Sequence, residues 1–314
     1  MEFKFELIED GSAKLVEVMG GDEVVFIPDV WEEHPVTVIG TRAFYGHREI
    51  KRVRLPKDLK KIESYGFAEC RFLEQMELPA GTESIGDYCF YNCIRLVRMD
   101  LPESLSSMGY GVFKNDSDLK DIHIHVKPGE EHRVNIILDD STYEQTVTFY
   151  YNDGQIAQLV FTEFYYEVTA NEEARQFNYR TYGTGTLYRN CVSRTGIDFM
   201  KYDEIFDLSI HRDEPKTVMD LALKRLQYPY ELSESARNKY IDYLKQMGGA
   251  LLLYLIESKR WNLFSLLEEG DALQKDVLEE GIYYAQKQQV PEFVSMLMQY
   301  KNLHYSSMTK SFDL

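Results

Sequence analysis

The stretch Ile85-Gly86-Asp87-Tyr88-Cys89-Phe90-Tyr91-Asn92-Cys93-Ile94-Arg95-Leu96-Val97-Arg98-Met99-Asp100-Leu101-Pro102 decides the fold, because the chain writes versions of it four times. Ile39-Gly40, Ile62-Glu63, Ile85-Gly86 and Met108-Gly109 open the copies, each 23 residues after the last. Phe44, Phe67, Phe90 and Phe113 share one position, and Ile50, Leu73, Leu96 and Leu119 share the next apolar one. Val53, Met76, Met99 and Ile122 follow, then Leu55, Leu78, Leu101 and Ile124. Pro56, Pro79 and Pro102 close three copies, and His125 takes the fourth place. Met99 and Leu101 alternate with polar residues, so they point to one side of a short strand. The proline that follows has no amide to donate and ends the ladder. One coil cannot bury its apolar face alone, whereas stacked coils turn each shared position into a continuous column. The unbroken register from Val38 to Ile124 therefore predicts a solenoid.

A fixed period of roughly 20 to 29 residues belongs to leucine-rich solenoids. Ile39-Gly40-Thr41-Arg42-Ala43-Phe44 and the Ile85 to Cys93 run resemble the BspA-like bacterial leucine-rich repeat family. That family's unit reads roughly I-G-x-x-A-F-x-x-C-x-x-L-x-x-I-x-L-P. Glu23-Val24-Val25-Phe26-Ile27-Pro28, with Val36 to Gly40, is similar to its entry segment, and the resemblance covers about residues 1–125. Proline after the strand departs from the plant and animal pattern, which places Asn or Cys there. The resemblance implies a ligand-binding or adhesive scaffold without catalysis.

Working outward, two alternating runs flank the turn Asp10-Gly11-Ser12, and this hairpin together with Val24 to Ile27 is expected to cap the exposed first coil. On the coils the outward strand positions form two columns, Arg52/Gln75/Arg98/Asp121 and Arg54/Glu77/Asp100/His123. Leucine-rich arrays bind through such faces, so these eight residues are the expected partner-binding surface, one with no large aromatic anchor. His123 and His125 lie on one side of their strand and with His132 could begin a zinc site, but no paired Cys or carboxylate is placed to complete it, and no metal is expected.

The period stops at Val126. Past the linker Lys127 to Glu131, residues 133–138, 145–151 and 155–161 read as three antiparallel strands, the last two joined at Asn152-Asp153-Gly154. Tyr179 to Cys191 is unlike scaffold: Gly183 and Gly185 precede Arg189 and Arg194 in an acidic chain. Glycines let amides approach a phosphate and arginines clamp it, although neither the GK[ST] ending nor the G-x-G-x-x-G spacing is present. From Lys201 the pattern is helical: 215–227, 233–247, 250–258, 261–269 stopped by Gly270, 273–287 and 291–300, with Lys301 onward a loose tail. The region 250–300 has a weak resemblance to ankyrin-type helix pairs, without the Thr-Pro-Leu-His turn.

Charge and cysteine narrow the function. A net charge of −17 disfavours nucleic acid and anionic membrane as partners. The first ten residues carry no apolar signal core, and the longest apolar run, Ala250 to Ile256, is too short to span a bilayer. Cys70 and Cys93 share a repeat position, and Cys89 and Cys191 show no pairing logic, so all four are expected as thiols in a cytoplasm. No G-x-S-x-G, HExxH or CxxC occurs.

The expected molecule is α+β. It has a capped leucine-rich β-solenoid of four units over 1–125, an antiparallel β region over 126–170 that either caps the solenoid or starts a new domain, and a helical domain over 171–314. Its expected role is a non-catalytic intracellular scaffold that binds a protein and takes no cofactor, with the oligomeric state left open. The alternative is an enzyme or nucleotide-binding regulator with its site at 183–194 and the repeats as targeting module.

Overall fold

A computed structural model describes residues 1–171, 176–267 and 273–305. The chain forms two compact units, Met1–Asp213 and Glu214–Leu314.

The first unit is the solenoid, with one ladder on each of two walls. On the front wall the strands Val24–Phe26, Arg52–Arg54, Gln75–Glu77, Arg98–Leu101, Asp121–Val126 and Gln145–Tyr151 stack in parallel. Where the Arg52–Arg54 and Gln75–Glu77 strands meet, the Glu74 amide donates to the Lys51 carbonyl at 3.0 Å. The back wall stacks Ala13–Met19, His34–Ile39, Lys61–Ile62, Ser84–Ile85 and Ser107–Met108, with Glu2–Leu7 antiparallel at its edge. Two inward columns explain the front ladder. Val25, Met76, Met99, Ile122 and Val147 are buried in one, with Val53 in the same row; Ile27, Leu55, Leu78, Leu101, Ile124 and Phe149 are buried in the other.

Between the walls run the turns that carry the phenylalanines. Phe44, Phe67, Phe90 and Phe113 are buried, and their rings stack at 4.7, 5.6 and 5.6 Å with interplanar angles of 12, 7 and 5°. Each turn needs left-handed backbone at two fixed places: Arg42, Tyr65, Tyr88 and Gly111 at one, Gly46, Glu69, Asn92 and Asn115 at the other. Glycine and asparagine suit that conformation. The larger residues at the first place are held by stacking, with Tyr65 on Tyr88 at 5.3 Å and the Arg42 guanidinium over Tyr65. At Gly111 a Cβ would lie 2.7 Å from the Tyr88 ring, so this column ends in glycine.

The solenoid extends one coil beyond the expected four at each end. The Val24–Phe26 strand, expected as part of the cap, pairs in register with Arg52–Arg54. Gln145–Tyr151, expected in an antiparallel set, lies parallel to Asp121–Val126 and is followed by antiparallel Ile156–Phe161. Residues 133–138 are not a strand: a 3-10 turn at Glu131–Val134 leads into the helix Asn135–Asp139. Val134, Ile137 and Leu138 fall on one helical face and are buried. The outer edge of Ile156–Phe161 is closed by Tyr202, whose hydroxyl accepts from the Val160 amide at 2.9 Å and donates to its carbonyl at 2.7 Å. Tyr165–Asn171 pairs antiparallel with Gln176–Tyr182.

His47, Cys70, Cys93 and Asp116 occupy one position of the repeat. The thiols of Cys70 and Cys93 donate to the carbonyls of Phe44 and Phe67 at 3.1 and 3.2 Å. All four cysteines are free and buried. Burial pushes the Cys191 thiol up to about 12 and raises the other three as well. Asp116 breaks the thiol pattern: its Oδ1 accepts from the Cys93 amide at 2.7 Å, while its buried Oδ2 has no hydrogen-bond partner among the described residues. Burial, opposed by the Cys93 amide and reinforced by Asp140, holds this carboxyl well above the usual range. A raised folded-state pKa means the charged form destabilises the fold, and that penalty is relieved as pH falls through the raised value. Asp116→Asn keeps the Oδ1 acceptor and removes the charge. It is expected to raise the melting temperature of the solenoid at neutral pH and flatten its pH dependence, as read by circular-dichroism melts from pH 5 to 8.

The second unit is built of consecutive helices at Pro215–Gln227, Glu234–Met247, Gly249–Glu257, Lys275–Lys287 and Pro291–Tyr305, with a 3-10 segment at Trp261–Leu267. Pro215 stands at the first turn, where its missing amide is harmless, and Ser233 caps the next helix by accepting from the Ala236 amide at 3.2 Å. Lys301 to Tyr305 continues the last helix instead of opening a tail. The expected stop at Gly270 and the tail beyond Tyr305 lie outside the described residues.

Candidate functional site

The front wall carries all eight predicted partner-binding residues, and its register sets their neighbours. One row runs Val24, Arg52, then Gln75, Arg98, Asp121, Thr146; the other runs Phe26, Arg54, then Glu77, Asp100, His123, Thr148. Val24 and Phe26 thus extend the two predicted columns onto the first coil. Both are exposed, at 45% and 66%, against the expectation of a face without an aromatic anchor. The signal was present in Val24-Val25-Phe26-Ile27: once Val25 and Ile27 join the inward columns, alternation turns Val24 and Phe26 outward. These residues line a shallow groove of about 610 Å³ together with Arg52, Arg54, Gln75, Glu77, Arg98 and Asp100.

The two ends of this face differ in electrostatics. Toward the later coils the charges neutralise one another. The Arg98 guanidinium donates to both oxygens of Asp100 at 2.8 and 2.9 Å and reaches Asp121 at 3.4 Å. These bonds, those to Asp100 first, hold Arg98 above its ordinary pKa. His123 is 8% exposed, bridged between Asp121 Oδ1 at 3.0 Å and the Tyr150 hydroxyl at 2.8 Å, and its ring stacks on Tyr150. A partner gains little from groups already matched this way. Toward the first coils Arg54 is tied to Asp29 at 3.0 Å, and the Lys57 amide and Arg54 together hold the Asp29 carboxyl below its usual range. Arg52, Gln75 and Glu77 are exposed, and their side chains have no hydrogen-bond or ion-pair partner among the described residues.

The Gly183 to Arg194 stretch is not arranged as a phosphate cradle. Arg189 is enclosed, and its guanidinium donates to the carbonyls of Leu138, Thr162, Gly185, Ser141 and Tyr143 at 2.8–3.3 Å. Burial lowers it to about 10. The amide of Thr184 donates to Asp213 Oδ1 at 2.9 Å, and its hydroxyl bonds the same carboxylate. A carboxylate of the chain therefore sits where the alternative reading would put an anion. Burial raises the Asp213 pKa, against hydrogen bonds from Thr184, Ser209 and Thr162. Gly183 and Gly185 serve close packing: a Cβ at either would lie 2.4 or 2.2 Å from the carbonyl oxygen of Glu163 or Thr162. Arg194 is exposed in the turn between Val192–Ser193 and Gly196–Ile197. His125 stacks on Tyr150 at 5.0 Å, and the described residues bring no three His, Cys, Asp or Glu side chains together as a metal-holding group.

In the helical unit an apolar groove of about 480 Å³ runs between Gly249–Leu253 and Glu280–Tyr284, with Leu253 and Tyr283 exposed. No helix of the described residues is long and apolar enough to cross a membrane.

Comparison with known proteins bears on the first unit. Residues 31–131 match the model of the BspA type leucine rich repeat region, in six copies where the exact period suggests four. Among solved structures, the chain is similar to the leucine-rich repeat protein of T. pallidum, with 24% identity over 40% of this chain and 68% of that one, TM-score 0.34. It is similar to a leucine-rich repeat protein from Bacteroides capillosus, with 28% identity over 39% of this chain and 93% of that one, TM-score 0.36. It is also similar to a leucine rich cell surface protein from Faecalibacterium prausnitzii, with 17% identity over 49% of this chain and 58% of that one, TM-score 0.22. No curated protein matches the chain.

Proposed function

We propose, from the premise that residues 31–131 are a BspA-type leucine-rich repeat region, that the protein is a non-catalytic scaffold that binds another protein through the front wall of its solenoid. The observation that carries this reading is the open part of that wall, where exposed Val24 and Phe26 adjoin the unmatched side chains of Arg52, Gln75 and Glu77. Exposed aromatic and arginine side chains are the types enriched at interface centres, and the side chains of Arg52, Gln75 and Glu77 are free to bond a partner. Arg98, Asp100, Asp121 and His123, satisfied by their own neighbours, then form the rim of the face, and Arg54, between Phe26 and Glu77, is held in place by Asp29. Four free, buried thiols favour a reducing compartment, so the proposed setting is intracellular.

The test compares folding with capture. Phe26→Ser, Arg52→Glu and Glu77→Arg alter exposed side chains, and each is expected to change stability by no more than about 0.5 kcal/mol. Affinity for partners recovered by the wild type is expected to fall by about 2 kcal/mol for Phe26→Ser, the scale of an interface hot spot. Quantitative affinity purification alongside thermal melts reads both effects. Unchanged partners would move the site to the Leu253–Tyr283 groove of the helical unit.

A further inference from the structure

We infer that the occupant of the front wall is an amphipathic helix lying along the solenoid axis, carrying an apolar residue, a carboxylate one turn away and a basic residue one turn beyond that. This deepens the proposed function and rests on it. The three coils at the open end present three different chemistries in order. Val24 and Phe26 offer exposed apolar surface, Arg52 an unmatched cation, and Gln75 with Glu77 an amide and an unmatched anion. Arg54, next to Arg52, is already neutralised by Asp29. Arg52 stands in the row of Val24 and Gln75, and Glu77 in the row of Phe26 and Arg54. A partner that satisfies all three steps must therefore change from apolar to acidic to basic from coil to coil while crossing from one row to the other.

The spacing of the coils selects the backbone. Neighbouring strands lie about 4.8 Å apart. A helix repeats its face about every 5.4 Å, so residues i, i+4 and i+7 meet successive coils. An extended strand repeats its face at roughly 6.7 Å and drifts off by a whole side chain over three coils. The helix can run in either chain direction, since side-chain order sets the match. A basic residue on the partner also suits a chain of net charge −17.

The probe is a displayed library of single-helix peptides, randomised on one face and panned on the full-length protein. Selected helices are expected to carry the apolar, acidic and basic residues in that order or its reverse. Arg52→Glu should weaken a selected peptide at least about tenfold, and changing the peptide's carboxylate to lysine should restore most of the loss. Glu77→Arg should behave in the same way toward the peptide's basic residue. If Phe26→Ser abolishes binding while Arg52→Glu and Glu77→Arg leave it unchanged, the face is right and the inferred chemistry is overturned. If none of the three variants weakens binding, the front-wall reading fails with it. An empty selection, or winners without the pattern, also overturns the inference. Melting curves matching the wild type confirm that each variant is folded.

Discussion

Phe67→Ala is expected to destabilise the solenoid unit by about 3–5 kcal/mol, the usual range for truncating a buried aromatic. Phe67 is fully buried between Phe44 and Phe90, with ring centroids 4.7 and 5.6 Å away on its two faces. Removing it opens a void in the middle of a column, and the coils above and below cannot close that void without breaking their shared register. Phe113 stacks on Phe90 and has no further phenylalanine of the column beyond it, so Phe113→Ala should cost less than Phe67→Ala. The measurement is urea unfolding followed by tryptophan fluorescence. The chain has two tryptophans, and Trp31 lies in the first unit while Trp261 lies in the second. In a Trp261→Phe background the Trp31 transition should shift to lower denaturant for Phe67→Ala and less so for Phe113→Ala. Equal shifts would mean that the rings contribute separately and not as a stack.

The second large effect is expected in the helical unit. Asp220 is nearly buried and accepts from the Tyr254 hydroxyl at 2.9 Å, from Lys224 and from Arg260. Asp220→Ala leaves the two cations and the hydroxyl facing each other without their common acceptor, a loss of about 3 kcal/mol. Burial by itself would raise the Asp220 carboxyl, but Lys224 and Arg260 outweigh it and hold the group below its usual range. A depressed folded-state pKa contributes stability that is present above the unfolded value, about 3.9, and is lost as pH falls through the folded value. The Trp261 transition should therefore weaken in acid, and Asp220→Asn should flatten that limb while lowering stability at neutral pH. The raised Asp116 carboxyl in the solenoid gives the opposite slope, so mild acid should relieve the Trp31 transition before it harms the Trp261 one. Parallel movement of the two transitions would contradict these assignments.

What the sequence determined by itself is whatever depends on periodicity. Four copies in exact register place Phe44, Phe67, Phe90 and Phe113 in one column, because equal spacing returns each ring to the same place in its coil. The helices from Pro215 onward were equally legible, with Pro215, Ser233 and Gly248 at element ends, but the helical range expected from residue 171 opens on the strand Gln176–Tyr182, and the second unit starts at Glu214. Tertiary structure decided the coils at the two ends. Val25 precedes its column mate Val53 by 28 residues, and Val147 follows Ile122 by 25, so the repeat count misses both. They join because a parallel ladder needs a free strand edge of the right length, whatever length of chain connects it. Val134, Ile137 and Leu138 suit a strand or a helix by composition, and burial of their shared helical face chose the helix. The same division holds at the candidate site. Alternation placed Arg52, Arg54, Gln75, Glu77, Arg98, Asp100, Asp121 and His123 on one wall, but which of those charges remain open follows from pairing between residues distant in the chain. Arg98 meets Asp121 one coil away, Arg54 meets Asp29 on the preceding coil, and Asp213 reaches back to fill the amide at Thr184. Charge is a property of the sequence; its neutralisation depends on distance, and only the folded chain sets the distances.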